Sequence, residues 1–200
     1  MVDVRTWTRH WGRVTMIVAG FAVVSGTFRL RAYDLFWHLA SGTWILDNGS
    51  IPVSDPFRFT ATAAPWVDHA WLFQIGMSTV ELLGGLHGLV VFRSAMVVGL
   101  ALVLLRELCK SGAPVLGAGL VTMVAVLGLR PRAMMRPELA TLTGVLILLV
   151  LLQHLRRRPS RVTAVGLVAL VAVWANLHPG VLAAPVIAAA YLLGSRLFGK

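Results

Sequence analysis

The chain has 200 residues, of which 58% are hydrophobic and 13% are charged, and its mean hydropathy is +0.80. A soluble domain is typically about 45–50% apolar and about 25% charged, so the composition argues against a soluble enzyme and against a disordered chain. The net charge is +10, but the basic residues are scattered between apolar segments, so no nucleic-acid partner is expected. The single cysteine, Cys109, excludes an intrachain disulfide. We therefore expect an integral membrane protein in contact with membrane lipids.

The apolar segments predict an all-α fold, a polytopic transmembrane helical bundle with about six spans. A transmembrane helix needs about 20 predominantly apolar residues, and the shorter segments are expected to use flanking residues to cross. The small residues Gly117–Gly119 predict close packing of the third span. We expect a single membrane domain over residues 1–200. Its predicted spans cover residues 14–28, 88–105, 114–130, 138–153, 162–177 and 181–197.

The long loop at residues 29–87 is predicted to carry two interfacial helices. In Tyr33–Asn48 apolar and aromatic residues recur with a rough helical period, which is typical of an amphipathic helix at a membrane surface, and Gly49 is expected to end it. A turn-rich segment and a short β-like segment, Phe57–Thr60, are expected next. The second surface helix is predicted over Ala70–Leu83.

The basic residues predict the orientation in the membrane. If Trp71–Leu83 does not cross, most basic residues lie on the side of the N-terminus, and the positive-inside rule makes that side cytoplasmic. Both termini are then cytoplasmic, as expected for a multi-pass protein of the bacterial inner (cytoplasmic) membrane, and the long loop is periplasmic. The basic residues on the inner side are Arg5, Arg9, Arg13, Arg106, Lys110, Arg156, Arg157, Arg158, Arg161, Arg196 and Lys200. Those on the outer side are Arg29, Arg31, Arg58, Arg130, Arg132 and Arg136.

This topology places the polar residues that could take part in catalysis or binding on the outer face. Asp34 and His38 are four residues apart and are expected to share a helix face. The candidate residues in the first outer loop are Asp34, His38, Asp55, Asp68 and His69. Those in the later outer loops are Arg132, Arg136, Glu138, Asn176 and His178.

Each candidate also has a structural interpretation. Asp34 can be a helix N-cap, and Asp68 can cap the second surface helix. The histidines can be ordinary hydrogen-bonded side chains, because no pair has a diagnostic zinc spacing. Glu138 can be the salt-bridge partner of the nearby arginines. A simple turn accounts for Pro179 and the glycine that follows it.

The first outer loop resembles that of bacterial membrane proteins related to the GT-C glycosyltransferases. The resemblance is carried by the string D-x-x-W-H-L-x-x-G-x-W-I-x-x-x-G-x-I-P-x-x-D-P-F at Asp34–Phe57 and by W-x-D-H-x-W-L at Trp66–Leu72. The R-P-E string at Arg136–Glu138 and the W-A-N-L-H-P-G string at Trp174–Gly180 are similar to later elements of such proteins. This family includes the oligosaccharyltransferase catalytic subunit, the protein O-mannosyltransferases and the lipid A aminoarabinose transferase.

The resemblance implies sugar transfer from a polyprenyl-phosphate donor on the periplasmic face. An early acidic residue acts there as base or as ligand of a divalent metal ion, and by position this residue is Asp34. Asp68 or Asp55 is the second acidic candidate. A carboxylate can take the proton of an acceptor hydroxyl, and Arg132 or Arg136 can stabilise the departing phosphate.

Two departures from the family pattern leave a second function open. Many relatives have Glu where this chain has Ala70, and they continue with further spans beyond the length of this chain, which ends at Lys200. The chain is therefore expected to be a core module, truncated or repurposed. The alternative function is a non-catalytic accessory subunit of a larger complex of membrane proteins. A small transporter is disfavoured, because ionisable residues are rare inside the spans.

Overall fold

A computed structural model describes residues 4–57 and 65–198 of the chain, and these residues are predominantly helical with no strand. The all-α prediction is confirmed for this part of the chain. One isolated antiparallel bridge joins Ser54 to Pro65. The seven α-helices are α1 (Val4–Gly26), α2 (Leu35–Asn48), α3 (Trp71–Lys110), α4 (Val115–Leu129), α5 (Glu138–Arg157), α6 (Arg161–Leu177) and α7 (Ala183–Phe198). A 3₁₀ helix at Pro179–Leu182 leads into α7.

Three helical segments are long and apolar enough to cross a membrane, judged by length and composition. These are α3, α5 and the segment Pro179–Leu197, which joins the 3₁₀ helix to α7. Helices α4 and α6 are apolar but shorter. A helical membrane protein is therefore supported, whereas the number of six spans and the orientation stay predictions.

The helices extend past the apolar segments that predicted them. Helix α1 begins at Val4, well before the predicted start at residue 14, and α5 continues to Arg157 inside a basic cluster. An apolar segment indicates only the part of a helix that can lie in the hydrocarbon core. The ends of the helix depend on local backbone hydrogen bonding. Helix α2 ends as predicted at Gly49, which has φ +61° and donates its N–H to Ile45. Most of the predicted β-like segment 57–60 lies outside the described residues.

Helix α3 is interrupted at Gly85, where φ is +59° and ψ is −159°. A residue with a side chain is strained at this φ, so glycine is suited to the break. The first part of α3 begins at Trp71 and matches the predicted second surface helix in sequence. The described residues divide near this break into two compact units, Met1–Ala32 with Gly84–Met135 and Tyr33–Leu83 with Arg136–Lys200. The single membrane domain stays a prediction.

In the first unit α1 packs against α4. Gly119 permits the contact, because a Cβ atom at this position would lie 2.7 Å from Cγ1 of Val14. Ala118 beside it is buried. Gly119 therefore has the packing role predicted for the small residues of this segment, whereas a Cβ atom at Gly117 would meet nothing within 4 Å.

In the second unit α5 and α6 form a hairpin, and a cluster of buried residues joins them to α7. Trp174 is fully buried at its centre and lies against Gly144, where a Cβ atom would come 2.6 Å from the indole ring. Helix α2 crosses the first part of α3 at Gly42, whose Cβ would collide with the backbone carbonyl of Gln74. The Ser78 hydroxyl donates to the Leu39 carbonyl at 2.9 Å and fixes this crossing.

Candidate functional site

A polar cavity of about 290 Å³ lies in the second unit, beside the crossing of α2 and α3. Its lining comes from α2, from the segment before α3, and from the turns that precede α5 and follow α6. The sequence-predicted residues that line it are Asp34, His38, Asp68, His69, Glu138 and His178. Segments far apart in the chain are therefore brought to one place.

An ion pair joins Asp34 to Arg136 beside this cavity. Nε and Nη2 of Arg136 donate to Oδ2 of Asp34 at 3.0 Å and 2.5 Å, and the same Nε lies 3.7 Å from Glu138. Asp34 stands at the N-cap position of α2, but its side chain makes no capping hydrogen bond. The capping interpretation is therefore wrong for the side chain, because the guanidinium is a stronger partner for the carboxylate than a neutral backbone N–H.

The surroundings keep Asp34 ionised. Burial raises its pKa, but the hydrogen bond from Arg136 and the charges of His38 and Arg136 lower it further, so the net pKa is below the ordinary value. The hydrogen bond to Asp34 raises the pKa of Arg136 in turn. Asp34 is thus a carboxylate at neutral pH, with one oxygen bound and the other, Oδ1, free of any partner among the described residues.

His38 is the second neighbour of Asp34, as the four-residue spacing predicted. Its Nε2 lies 3.5 Å from Oδ2 of Asp34. Burial lowers the pKa of His38, against the opposing charges of Asp34 and Asp68. Because its pKa falls below the ordinary value, we expect a neutral imidazole at pH 7.

Gln74 connects His38 to Asp68, and the sequence did not single it out. Its Nε2 donates to Oδ1 of Asp68 at 3.0 Å and lies 3.3 Å from Nδ1 of His38. The carboxylate fixes the orientation of the amide, so the second amide hydrogen faces His38, whose Nδ1 must accept it. The imidazole proton then sits on Nε2 and faces Asp34. The available sequence signal was an amide side chain in a predominantly apolar segment.

Four polar atoms around the cavity are buried without a hydrogen-bond partner among the described residues. Three are acceptors and one is a donor. They are Oδ1 of Asp34, Oδ2 of Asp68, Oε1 of Gln74 and Nε1 of Trp66. Buried polar groups are normally satisfied, so a concentration of unsatisfied atoms at a cavity indicates a place for a polar ligand or water.

His178 is held in one tautomer by its neighbours. Its Nδ1 accepts the backbone N–H of Gly180 at 2.9 Å and lies 2.7 Å from Oγ1 of Thr141, which itself accepts the indole N–H of Trp174. A nitrogen that accepts a backbone N–H carries no proton, so neutral His178 carries its proton on Nε2. Burial lowers its pKa, which favours this neutral form.

Asn176 has a structural role near the cavity. Its side-chain oxygen accepts the indole N–H of Trp71 at 2.9 Å, and its amide donates to the carbonyl of Ala172. It therefore ties the end of α6 to the start of α3. Asp68 combines two roles, because its Oδ1 also accepts the backbone N–H of Ala70 at 3.1 Å.

Four predicted site residues are absent from the cavity lining, namely Asp55, Arg132, Arg136 and Asn176. Arg136 and Asn176 lie beside it with the contacts given above. Asp55 accepts the backbone N–H of Phe57 at 2.9 Å and stabilises a turn. Arg132 is exposed and belongs to the first unit, whereas the cavity belongs to the second. Residues 4–57 and 65–198 contain no group of three His, Cys, Asp or Glu side chains arranged to hold a metal ion. The metal-ligand role of Asp34 stays a prediction.

No protein-family model, no curated protein and no solved structure matches this chain.

Proposed function

We propose that the protein is a GT-C-like glycosyltransferase of the bacterial inner membrane, which transfers a sugar from a polyprenyl-phosphate donor on the periplasmic face. The observation that carries the proposal is the pairing of Asp34 with Arg136. These residues are 102 positions apart, belong to two of the four strings that carry the family resemblance, and meet beside a cavity rich in unsatisfied polar atoms.

The geometry suits Asp34 as the general base. Arg136 and His38 hold Oδ2, so the carboxylate is ionised and oriented while Oδ1 is free to accept a proton. In the proposed reaction the acceptor oxygen bonds to the anomeric carbon as its proton moves to Oδ1. The bond between that carbon and the phosphate oxygen breaks, and the polyprenyl phosphate departs with the electron pair.

The cavity favours hydroxyl groups over anions. Its lining contains the carboxylates of Asp34, Asp68 and Glu138, and the nearest cation, Arg136, is already shared between two of them. The unsatisfied acceptors of Asp68 and Gln74 can receive hydrogen bonds from sugar hydroxyls. The rings of Trp37 and Trp66, 5.5 Å apart, line the same space and can cover the apolar face of a sugar. Arg136 is therefore best assigned to orienting Asp34.

The contacts within the first unit support the proposed topology. Nε of Arg93, near the start of the second proposed span, donates to the carbonyl of Gly26 at 2.9 Å, and its Nη2 donates to Phe28. The end of the first span is thus adjacent to the start of the second, as required when residues 29–88 leave and return on one side. The part of α3 before Gly85 is only about 20 Å long, shorter than a ~30 Å hydrocarbon core. We therefore propose six spans, surface helices on the periplasmic side, and cytoplasmic termini.

A transfer assay in liposomes tests the function. The purified protein is reconstituted with polyprenyl-phosphate sugars carrying a radiolabel, and released or transferred sugar is measured. The Asp34→Asn variant should lose transfer entirely, since an amide cannot accept the proton. The matched control is Asp47→Asn, an exposed carboxylate on the same helix, which should transfer at the wild-type rate. Full transfer by the Asp34 variant would contradict the role of this residue.

A non-catalytic subunit is the second candidate, and one observation favours it. Arg136 and His38 both contact Oδ2 of Asp34, and this arrangement resembles a structural ion pair. Under this alternative the native protein migrates with a larger complex, and Asp34→Asn reduces assembly instead of transfer. Size-exclusion chromatography of the protein from its native membrane distinguishes the two functions, because the first requires activity from the isolated chain.

A further inference from the structure

A second cavity, of about 600 Å³, lies in the first unit at the C-terminal ends of α1 and α4. Arg29 and Arg31 follow α1, Arg130 follows α4, and all three line this cavity. We call it the arginine pocket. The three side chains are exposed, and none of them forms an ion pair within residues 4–57 and 65–198.

The first unit has almost no negative charge with which to neutralise these arginines. Among its described residues the only carboxylate side chain is Glu107, and that side chain is bound to Lys110 at 2.6 Å. Three guanidinium groups around one cavity repel each other unless an anion lies between them. Guanidinium groups match the oxygen atoms of phosphate in a bidentate way, so phosphate is the anion that this arrangement fits best.

Buried contacts next to the arginine pocket fix the position of its wall. Arg93 is fully buried and binds the carbonyls of Gly26 and Phe28, just before Arg29. Its guanidinium also lies 3.9 Å from the centre of the Phe28 ring, and Arg130 covers the same ring at 5.5 Å. The close packing of Gly119 against Val14 fixes α4 beside α1. Contacts within the chain therefore fix the wall of the arginine pocket.

The surroundings of the arginines are mostly apolar. Thr27, Phe28, Pro131 and Met134 complete the lining, and all of these except Thr27 are apolar. On the helices that lead to the pocket, Val24 is 72% exposed and Leu127 is 53% exposed. Exposed aliphatic side chains next to a cationic pocket suit a ligand with acyl chains and a phosphate headgroup. A free phosphate ion would make no use of these surfaces.

We propose that the arginine pocket is a binding site for the phosphate headgroup of an anionic membrane lipid. The site shares no lining residue with the cavity that contains Asp34, and the proposal holds whether or not the protein transfers sugars. The acyl chains extend along the exposed apolar ends of α1 and α4, and the headgroup phosphate lies between Arg29, Arg31 and Arg130.

Lipid binding to the purified full chain tests the proposal. Phosphatidylglycerol is titrated into the protein in neutral detergent, with native mass spectrometry to count bound lipid and phosphatidylcholine as the reference lipid. The triple variant Arg29→Gln, Arg31→Gln, Arg130→Gln should bind phosphatidylglycerol on the order of 100-fold more weakly. The variant with lysine at the same three positions should recover part of the affinity, because it keeps the charge without the bidentate geometry.

The control variant removes the same charge elsewhere. Arg156→Gln, Arg157→Gln, Arg158→Gln changes three exposed arginines at the end of α5 and should leave phosphatidylglycerol binding unchanged. Equal weakening of both triple variants would overturn the proposal, since binding would then depend on net charge alone. Inorganic phosphate that binds the wild type as tightly as the lipid does would overturn the assignment to a lipid. Melting curves of each variant establish that the fold is intact.

Discussion

At the scale of single residues, Oδ2 of Asp34 is the most connected atom of the site. It receives two hydrogen bonds from Arg136 and lies 3.5 Å from Nε2 of His38. Its sister atom Oδ1 has no partner among the described residues. This asymmetry divides the carboxylate into one oxygen that is held and one that can react.

Removal of the Arg136 guanidinium should make Asp34 easier to protonate. The variant Arg136→Gln takes away both the hydrogen bond and the charge that lower the pKa of Asp34, while the burial that raises the pKa remains. The acid limb of the pH–activity profile should therefore move to higher pH. Arg136→Lys keeps the charge and should shift the limb less. An acid limb that stays in place in Arg136→Gln would mean that another group controls it.

Protonation of His178 should destabilise the protein. Burial holds its pKa below the ordinary value of about 6.5, so the neutral form contributes stability that is fully present above that pH and is lost as the pH falls through the folded-state pKa. Melting temperatures measured between pH 7.5 and pH 5 should decline less in His178→Asn, which keeps an acceptor near the Nδ1 position but does not titrate. Parallel declines in both proteins would exclude His178 as a cause.

At the scale of helices, the crossing of α2 and α3 positions the cavity. Gly42 lies so close to Gln74 that a side chain would displace α2 and carry His38 with it. The same glycine occupies the G-x-W-I part of the string on which the family resemblance rests. The string therefore contains the glycine of a close helix contact as well as the candidate site residues Asp34 and His38.

The variant Gly42→Leu should disrupt this crossing. Overpacking of a close contact costs about 1–3 kcal/mol, and the melting temperature should fall accordingly. Gly76→Ala on the first part of α3 is the matched control, because a Cβ there meets nothing within 4 Å and alanine favours the helix. The control should be as stable as the wild type or slightly more stable. Equal stability of Gly42→Leu would show that the two helices can separate at no cost.

At the scale of the whole molecule, the proposed topology can be tested with cysteine labelling. Cys109 is the only native cysteine, so Cys109→Ala gives a background without thiols. A cysteine at Val53, in the first outer loop, should react with a membrane-impermeant maleimide in intact cells whose outer membrane is permeable. A cysteine at Ser111 should react only after the inner membrane is opened. The opposite pattern would reverse the proposed orientation.

Sequence patterns predicted the helices better than the contacts between them. Apolar segments located the helices because burial in lipid requires them, and the four-residue spacing predicted the approach of Asp34 to His38. Nothing local could predict the partner of Asp34, since Arg136 is 102 residues away. Gln74 was missed because one amide in an apolar helix has no distinctive spacing. Arg132 was expected at the site because an arginine in this outer loop could stabilise the departing phosphate, yet it belongs to the first unit.

The fixed amide of Gln74 has a consequence for selectivity between closely related compounds. Both of its hydrogens face protein atoms, so its oxygen needs a hydrogen-bond donor from water or from a ligand. A deoxy sugar, or one methylated at the contacted hydroxyl, would leave that oxygen buried and unsatisfied. Sites built in this way reject an analogue that lacks the hydroxyl by roughly 10⁴-fold or more. Under the proposed function, a series of monodeoxy sugar analogues would therefore identify the hydroxyl that the oxygen of Gln74 contacts.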